Sequence, residues 1–396
     1  MFLGSNLGSF FNLLYQLLML RLVSLEAFAS LNSLLSLLVI ISVPSTAFTM
    51  MVTKYVSMHN ARNSLRQLKS IWQRLAGHAC LFSLMVFILI SLLSAKLAAF
   101  FHLPSLSSVM ILAAIFFLSG IATMLSGGLQ GLEKFKWLAV VGISAGFLKL
   151  ILSIALVKML PNSLDAALYG ILLAMFIGIL LSIWPLGFLF EAQAKENVAL
   201  KQLYIYVLPV IIVSMCFALL TNSDMVMVKH FLQGPAQDYS LAQMVGKIIV
   251  SIAGALYVVM FSRVSNLHAL NESSRTILKR SLFFAFILTL PMVIFYNLFP
   301  QFTFKILAGG ASQNVVRLAR VFSITMLFYA LSNVLFYYQL SIERYGFLKP
   351  LILLSGLQVI AIGVFHKTTF WVVSIMLINS ITIFFFNLRS SLKVAV

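Results

Sequence analysis

Residues 166–190 read AALYGILLAMFIGILLSIWPLGFLF, a run without one charged side chain. At 1.5 Å per residue such a run makes a helix of about 37 Å, enough to cross the roughly 30 Å hydrocarbon core of a bilayer. It is longer than a strand needs and lacks the period-two alternation of a membrane barrel. A helix satisfies every backbone polar group within its own segment, which hydrocarbon demands. Eleven further runs read the same way, at roughly 3–20, 27–52, 75–95, 106–129, 137–157, 203–223, 240–261, 281–300, 315–340, 348–365 and 369–388. The expected fold class is therefore all-α, a polytopic membrane protein with about 12 transmembrane helices.

Composition agrees. Of 396 residues, 62% are hydrophobic and 9% charged, against about 25% charged in soluble domains. No water-soluble fold could cover that much apolar surface. A net charge of +18 would suggest nucleic acid in a soluble protein. Here the basic residues gather in short connections, so the excess reads as membrane topology and no nucleic-acid partner is expected. The first run lacks a positive n-region and a small-residue cleavage site, so it is expected to stay as a helix. Cys80 and Cys216 lie in apolar runs and are expected to pack as small core hydrophobes, without a disulfide.

With the N-terminus inside, 17 of the 27 Lys and Arg residues fall in inner connections and 8 in outer ones, leaving Lys149 and Lys247 within spans. Both termini are then cytoplasmic, as an even number of spans requires. The chain also echoes itself. Val56, Ser57, Ala61 and Asn63 match Val264, Ser265, Ala269 and Asn271 at a constant offset, which Arg21 and Lys229 share. The reading is a duplicated six-helix unit, 1–195 and 196–396. Halves of six spans insert in the same orientation, a transporter plan that puts the substrate site between them.

Certain residues resemble a known family. Thr221-Asn222-Ser223-Asp224, then Val226, Val228, Phe231, Leu232, Ala236, Tyr239 and Gly246-Lys247, resemble the start of the second half in bacterial polysaccharide flippases. These form the polysaccharide transporter branch of the multidrug/oligosaccharidyl-lipid/polysaccharide exporter superfamily. Gly128-Leu129-Gln130-Gly131-Leu132-Glu133-Lys134-Phe135 resembles that family's connection between spans four and five. The chain departs from the pattern in lacking a basic stub before the first span, in being short, and in having Phe261-Ser262-Arg263 where a proline is common. The resemblance implies a V-shaped exporter fold of two six-helix bundles in the bacterial inner membrane. It implies a lipid-linked oligosaccharide substrate, a sugar repeat unit on polyprenyl pyrophosphate, moved to the outer leaflet for O-antigen (lipopolysaccharide) or capsule. Membrane lipids and the polysaccharide polymerase machinery are the implied partners.

A pyrophosphate headgroup calls for cationic groups, and a charge inside a span is costly when it faces lipid. Lys149 lies too deep in its run to snorkel fully, and is expected either to face a cavity or to pair structurally. Lys247 lies about two turns inside the eighth run, where snorkelling remains open to it. Asp224 is the acidic residue well inside a run, and either pairs with Lys149 or Lys247 or binds a coupling cation. Lys229 and Arg21 near the outer surface read as interface anchors or substrate contacts. Arg317 and Arg320, three apart, share a helix face at the exit side, where pyrophosphate or lipid headgroups would meet them. An anion leaving a negative interior gains about 2.3 kcal/mol per charge per 100 mV, so outward movement needs no ATP.

The six His show no metal-ligand spacing, and His59 and His268 are expected to be solvated in inner loops. There is no P-loop and no G-x-S-x-G elbow. Catalytic residues, metal and cofactors are not expected, and the chain reads as no enzyme. A multidrug extruder of the same superfamily is the alternative, but it should carry acidic rather than cationic cavity groups. A polymerase or ligase would need a large outer loop, and residues 301–314 are too few.

Overall fold

The structure is a computed structural model that describes residues 2–62, 64–191, 201–269 and 274–394. Among these, regular structure is all helical: α1 (Phe2–Leu22), α2 (Leu25–Ala61), α3 (Leu65–Leu92), α4 (Ser94–Phe100), α5 (Ser107–Gly131), α6 (Phe135–Met159), α7 (Ser163–Leu186), α8 (Lys201–Phe231), α9 (Ala236–Ala269), α10 (Arg275–Leu298), α11 (Pro300–Ala308), α12 (Gln313–Ser341), α13 (Leu348–Val364) and α14 (Thr369–Val394). A short 3-10 turn, Gly187–Phe190, follows α7. Each of the twelve expected spans coincides with one helix. Among the described residues, nine helices are long and apolar enough to cross a membrane, and Phe10–Leu22 and Leu348–Val364 are shorter apolar helices. The chain is an all-α, multi-pass membrane protein.

Side chains set several helix starts. Ser24, Asn162 and Ser312 accept from backbone N–H groups at the beginnings of α2, α7 and α12, satisfying donors that no earlier turn can reach.

Packing divides the chain into Met1–Ile211 and Ile212–Val396; the boundary expected at 195/196 lies outside the described residues. In the first unit α5 is central, packed against α2, α3 and α7, while α6 packs against α1 and α7. In the second, α12 is central, packed against α9, α10 and α14, with α13 beside α14. Both units place a short helix, α4 or α11, after their third long one. Both also end their central helix in the same turn. Glu133 has φ 56 and Glu343 has φ 54, and the following N–H closes the turn: Lys134 N to Leu129 O at 2.9 Å, Arg344 N to Gln339 O at 3.0 Å. Leu132-Glu133-Lys134 and Ile342-Glu343-Arg344 thus form an internal correspondence that sequence reading passed over. In the correspondence it did find, Val56 and Val264 are both buried, whereas Asn63 and Asn271 lie outside the described residues.

The glycines of the Gly128–Gly131 motif serve helix packing. A Cβ on Gly131 would sit 2.6 Å from the Val56 Cβ and 2.9 Å from the Thr53 carbonyl oxygen, so α2 approaches α5 closely only because that atom is absent. Gly131→Ala should lower unfolding stability in detergent by about 1–3 kcal/mol through overpacking. Gly77→Ala, where a Cβ meets nothing within 4 Å, should leave the thermal midpoint unchanged. Equal midpoints for the two variants would refute the packing role.

Three expectations are corrected. The inner connections after the second and eighth spans are largely helical continuations, α2 running to Ala61 and α9 to Ala269. His59 is accordingly buried, with its Nδ1 2.9 Å from Ser64 Oγ, rather than solvated; the His268 side chain lies outside the described residues. Cys80 is exposed while Cys216 is buried. An apolar side chain gains little from leaving lipid, so hydrophobicity alone does not choose the inside of a membrane helix bundle.

Candidate functional site

Each unit holds a lysine well inside a long helix, Lys149 in α6 and Lys247 in α9. In the first unit, Lys149 lies in α6 about 15 Å from the nearer helix end. Its ammonium donates to Asn12 Oδ1 at 2.7 Å and sits 4.1 Å from the centroid of the Tyr15 ring. Asn12 and Tyr15 are three apart on α1 and so face the same way. Asn12 Nδ2 donates to the Gly8 carbonyl at 3.0 Å, which leaves its amide oxygen turned to the lysine. Tyr15 is fully buried, with its hydroxyl 3.5 Å from the Ala167 carbonyl oxygen of α7. These partners, an amide oxygen and an aromatic face, stabilise a cation without cancelling its charge.

In the second unit the centre is Asp224 of α8, with no exposed surface. Tyr239 Oη donates to its Oδ2 at 2.8 Å. Gln243 Nε2 lies 3.0 Å from Oδ2 and 3.2 Å from Oδ1. Tyr239, Gln243 and Lys247 are spaced by four on α9 and form one stripe, which brings the half-buried Lys247 within electrostatic reach of Asp224. Beneath this lies a second polar layer. Tyr329 of α12 donates to Gln358 Oε1, Asn379 Nδ2 of α14 donates to the same oxygen at 2.8 Å, and Gln358 Nε2 of α13 donates to the Leu220 carbonyl at 3.0 Å. Two polar clusters thus tie α8 to α9 at Asp224 and to α12, α13 and α14 at the Leu220 carbonyl, which helps to fix the register of these helices.

The remaining expected residues lie near helix ends. Lys229, buried, lies at the end of α8 and Arg21, exposed, at the end of α1. Arg317 and Arg320 are exposed near the start of α12, and the Arg317 guanidinium lies 4.2 Å from the Phe370 ring centroid. Sequence reading missed Asn12, Tyr15, Tyr239 and Gln243 as partners; the signal available was a polar side chain on an otherwise apolar helix face. It also missed Asp165, a buried carboxylate accepting from the hydroxyls of Ser107 and Ser108 and from Asn162 Nδ2. That carboxylate joins the N-terminal ends of α5 and α7, where helix dipoles favour a negative charge.

The fold is one that transporters use. The chain is similar to a multidrug resistance MATE family transporter of the MOP superfamily in an inward-facing conformation, with TM-score 0.78, 13% identity, and 98% of this chain and 95% of that one covered. It is similar also to the lipid II flippase MurJ in an inward closed conformation, with TM-score 0.71, 15% identity and coverage of 98% and 87%. No curated protein matches the sequence. The family model described as "Polysaccharide biosynthesis protein" matches residues 1–268, and the chain belongs to that family.

Proposed function

We propose that this protein is a flippase moving a polyprenyl-pyrophosphate-linked oligosaccharide from the cytoplasmic to the outer leaflet of a bacterial inner membrane, for O-antigen or capsule. The observation that carries the reading is Lys149, whose partners among the described residues are neutral. A cation stationed within a span on neutral partners keeps its charge for an anion, here the pyrophosphate. The family's polysaccharide role and the likeness to a lipid II flippase support a lipid-linked glycan. A drug extruder taking cationic cargo would be repelled at this position.

In the second unit, Asp224 attracts Lys247 through space when no substrate is bound, and an arriving headgroup competes for the lysine. Lys229, Arg21, Arg317 and Arg320 serve as outer-end contacts on this reading, both termini are cytoplasmic, and the halves divide near 195/196. Coupling of transport to an ion at Asp224 is the competing role for that residue.

The test is reconstitution in liposomes with a fluorescent polyprenyl-pyrophosphate disaccharide whose movement between leaflets is followed by accessibility to a quencher. Protein-dependent transfer, accelerated by a membrane potential positive on the receiving side, is expected. Transfer of a cationic dye with no transfer of the pyrophosphate lipid would overturn the proposal in favour of drug extrusion.

A further inference from the structure

Apart from these polar centres, the second unit carries an apolar groove of about 410 Å³ between α10 and α11. Pro291 forms part of its wall; a proline inside a helix has no N–H for the preceding turn. Seven residues later α10 ends, and Pro300 opens α11 at its first helical position. Thr303, Ile306 and Leu307 of α11, spaced three and four apart, line one side of the groove, and Met292, Phe295 and Tyr296 line the other. Lys305 is exposed and falls on the side of α11 away from the groove. A short helix with an apolar face and a lysine on its opposite face is suited to the membrane–water boundary.

One polar atom in this apolar setting has no partner of its own. Tyr296 is 8% exposed and lines the groove, yet among the described residues its hydroxyl makes no hydrogen bond, whereas the neighbouring Thr303 hydroxyl is committed to the Phe299 carbonyl at 3.0 Å. Tyrosines with an apolar body and an unmet hydroxyl take an acceptor from whatever covers them. The 24 residues of α10 span about 36 Å, so a hydrocarbon core of about 30 Å centred on the helix ends about two residues before Leu298, at Tyr296, where the glycerol esters of a diacyl lipid would lie. A polyprenyl lipid carries its first oxygens on the charged phosphate, which stays in the headgroup layer, whereas a diacyl lipid places neutral ester carbonyls at the edge of the core.

We propose that the groove binds one acyl chain of a diacyl phospholipid, whose ester carbonyl accepts a hydrogen bond from Tyr296 Oη. The site stands independently of the transport reading. The test uses the full chain in detergent, incubated with dioleoyl phosphatidylglycerol or its dialkyl ether analogue and examined by native mass spectrometry. The wild type should retain one diester lipid more than Met292→Trp, which fills the groove. Tyr296→Phe should weaken diester retention about five-fold, the loss of one neutral hydrogen bond, and leave the ether lipid unchanged. Should Met292→Trp fail to fold, the diester-against-ether contrast in Tyr296→Phe decides the matter alone. Equal retention by wild type and variants overturns the proposal. So does displacement of the phospholipid by polyprenyl phosphate, or a dimer that Met292→Trp dissolves.

Discussion

Lys149→Met should slow transfer of a pyrophosphate-linked glycan about 10- to 100-fold, while the protein still purifies as a folded species. A hydrogen bond to a charged group contributes about 1.5–3 kcal/mol, and each 1.4 kcal/mol is about tenfold. The cost to folding should be small, because Asn12 keeps its bond to the Gly8 carbonyl and the methionine side chain occupies nearly the same space as the lysine stem. Asn12→Asp is the sharper partner experiment. It keeps the side-chain shape but sets an acid 2.7 Å from the lysine, so the site becomes neutral while Lys149 remains. Transfer should fall by a similar factor, with apparent substrate affinity affected more than the maximal rate, and thermal stability should hold or rise. A purely structural lysine predicts the reverse pattern: Lys149→Met unstable, and Asn12→Asp fully active.

In the second unit, Asp224→Asn and Lys247→Met should each destabilise the protein by about 1–2 kcal/mol, since each removes one of two opposite charges that attract through space without a direct ion pair. The double variant should recover most of that loss, because two neutral side chains of similar size replace the pair. Rotation of the Gln243 amide assists, as its Oε1 is buried without a partner and can accept from the amide introduced at position 224. Transport should stay low in the double variant, which lacks the amine the headgroup competes for. Chemical denaturation of the four proteins, side by side with the liposome assay, gives both readings. If the losses simply add, the pairing role for Asp224 is wrong. If instead Asp224→Asn is stable and its transport has lost all dependence on sodium or proton gradients, the coupling role replaces it.

Much of this architecture was legible in the sequence because hydrocarbon penalises polar groups uniformly along every span. Twelve apolar runs coincide with twelve helices for that reason, and Lys149, Lys247 and Asp224 stood out because each interrupts a run. Asn12, Tyr15, Tyr239 and Gln243 did not stand out, since an uncharged polar side chain is common enough in a membrane helix to pass as packing. Cys80 and His59 were misjudged for a related reason: in lipid, hydrophobicity does not report inside from outside, and a helix that continues beyond the bilayer can bury residues that read as loop.

The sequence by itself determined that this chain is a bundle of membrane helices with cations stationed inside two of them, because length and charge are properties of single segments. Only the tertiary structure decided who meets whom: that Lys149 rests on an amide and a ring, that Lys247 shares a stripe with the groups holding Asp224, and that α10 and α11 enclose a groove. Those outcomes depend on the rotation of each helix about its axis and on close approaches such as that at Gly131. They arise from how one helix packs against another, which no single segment encodes.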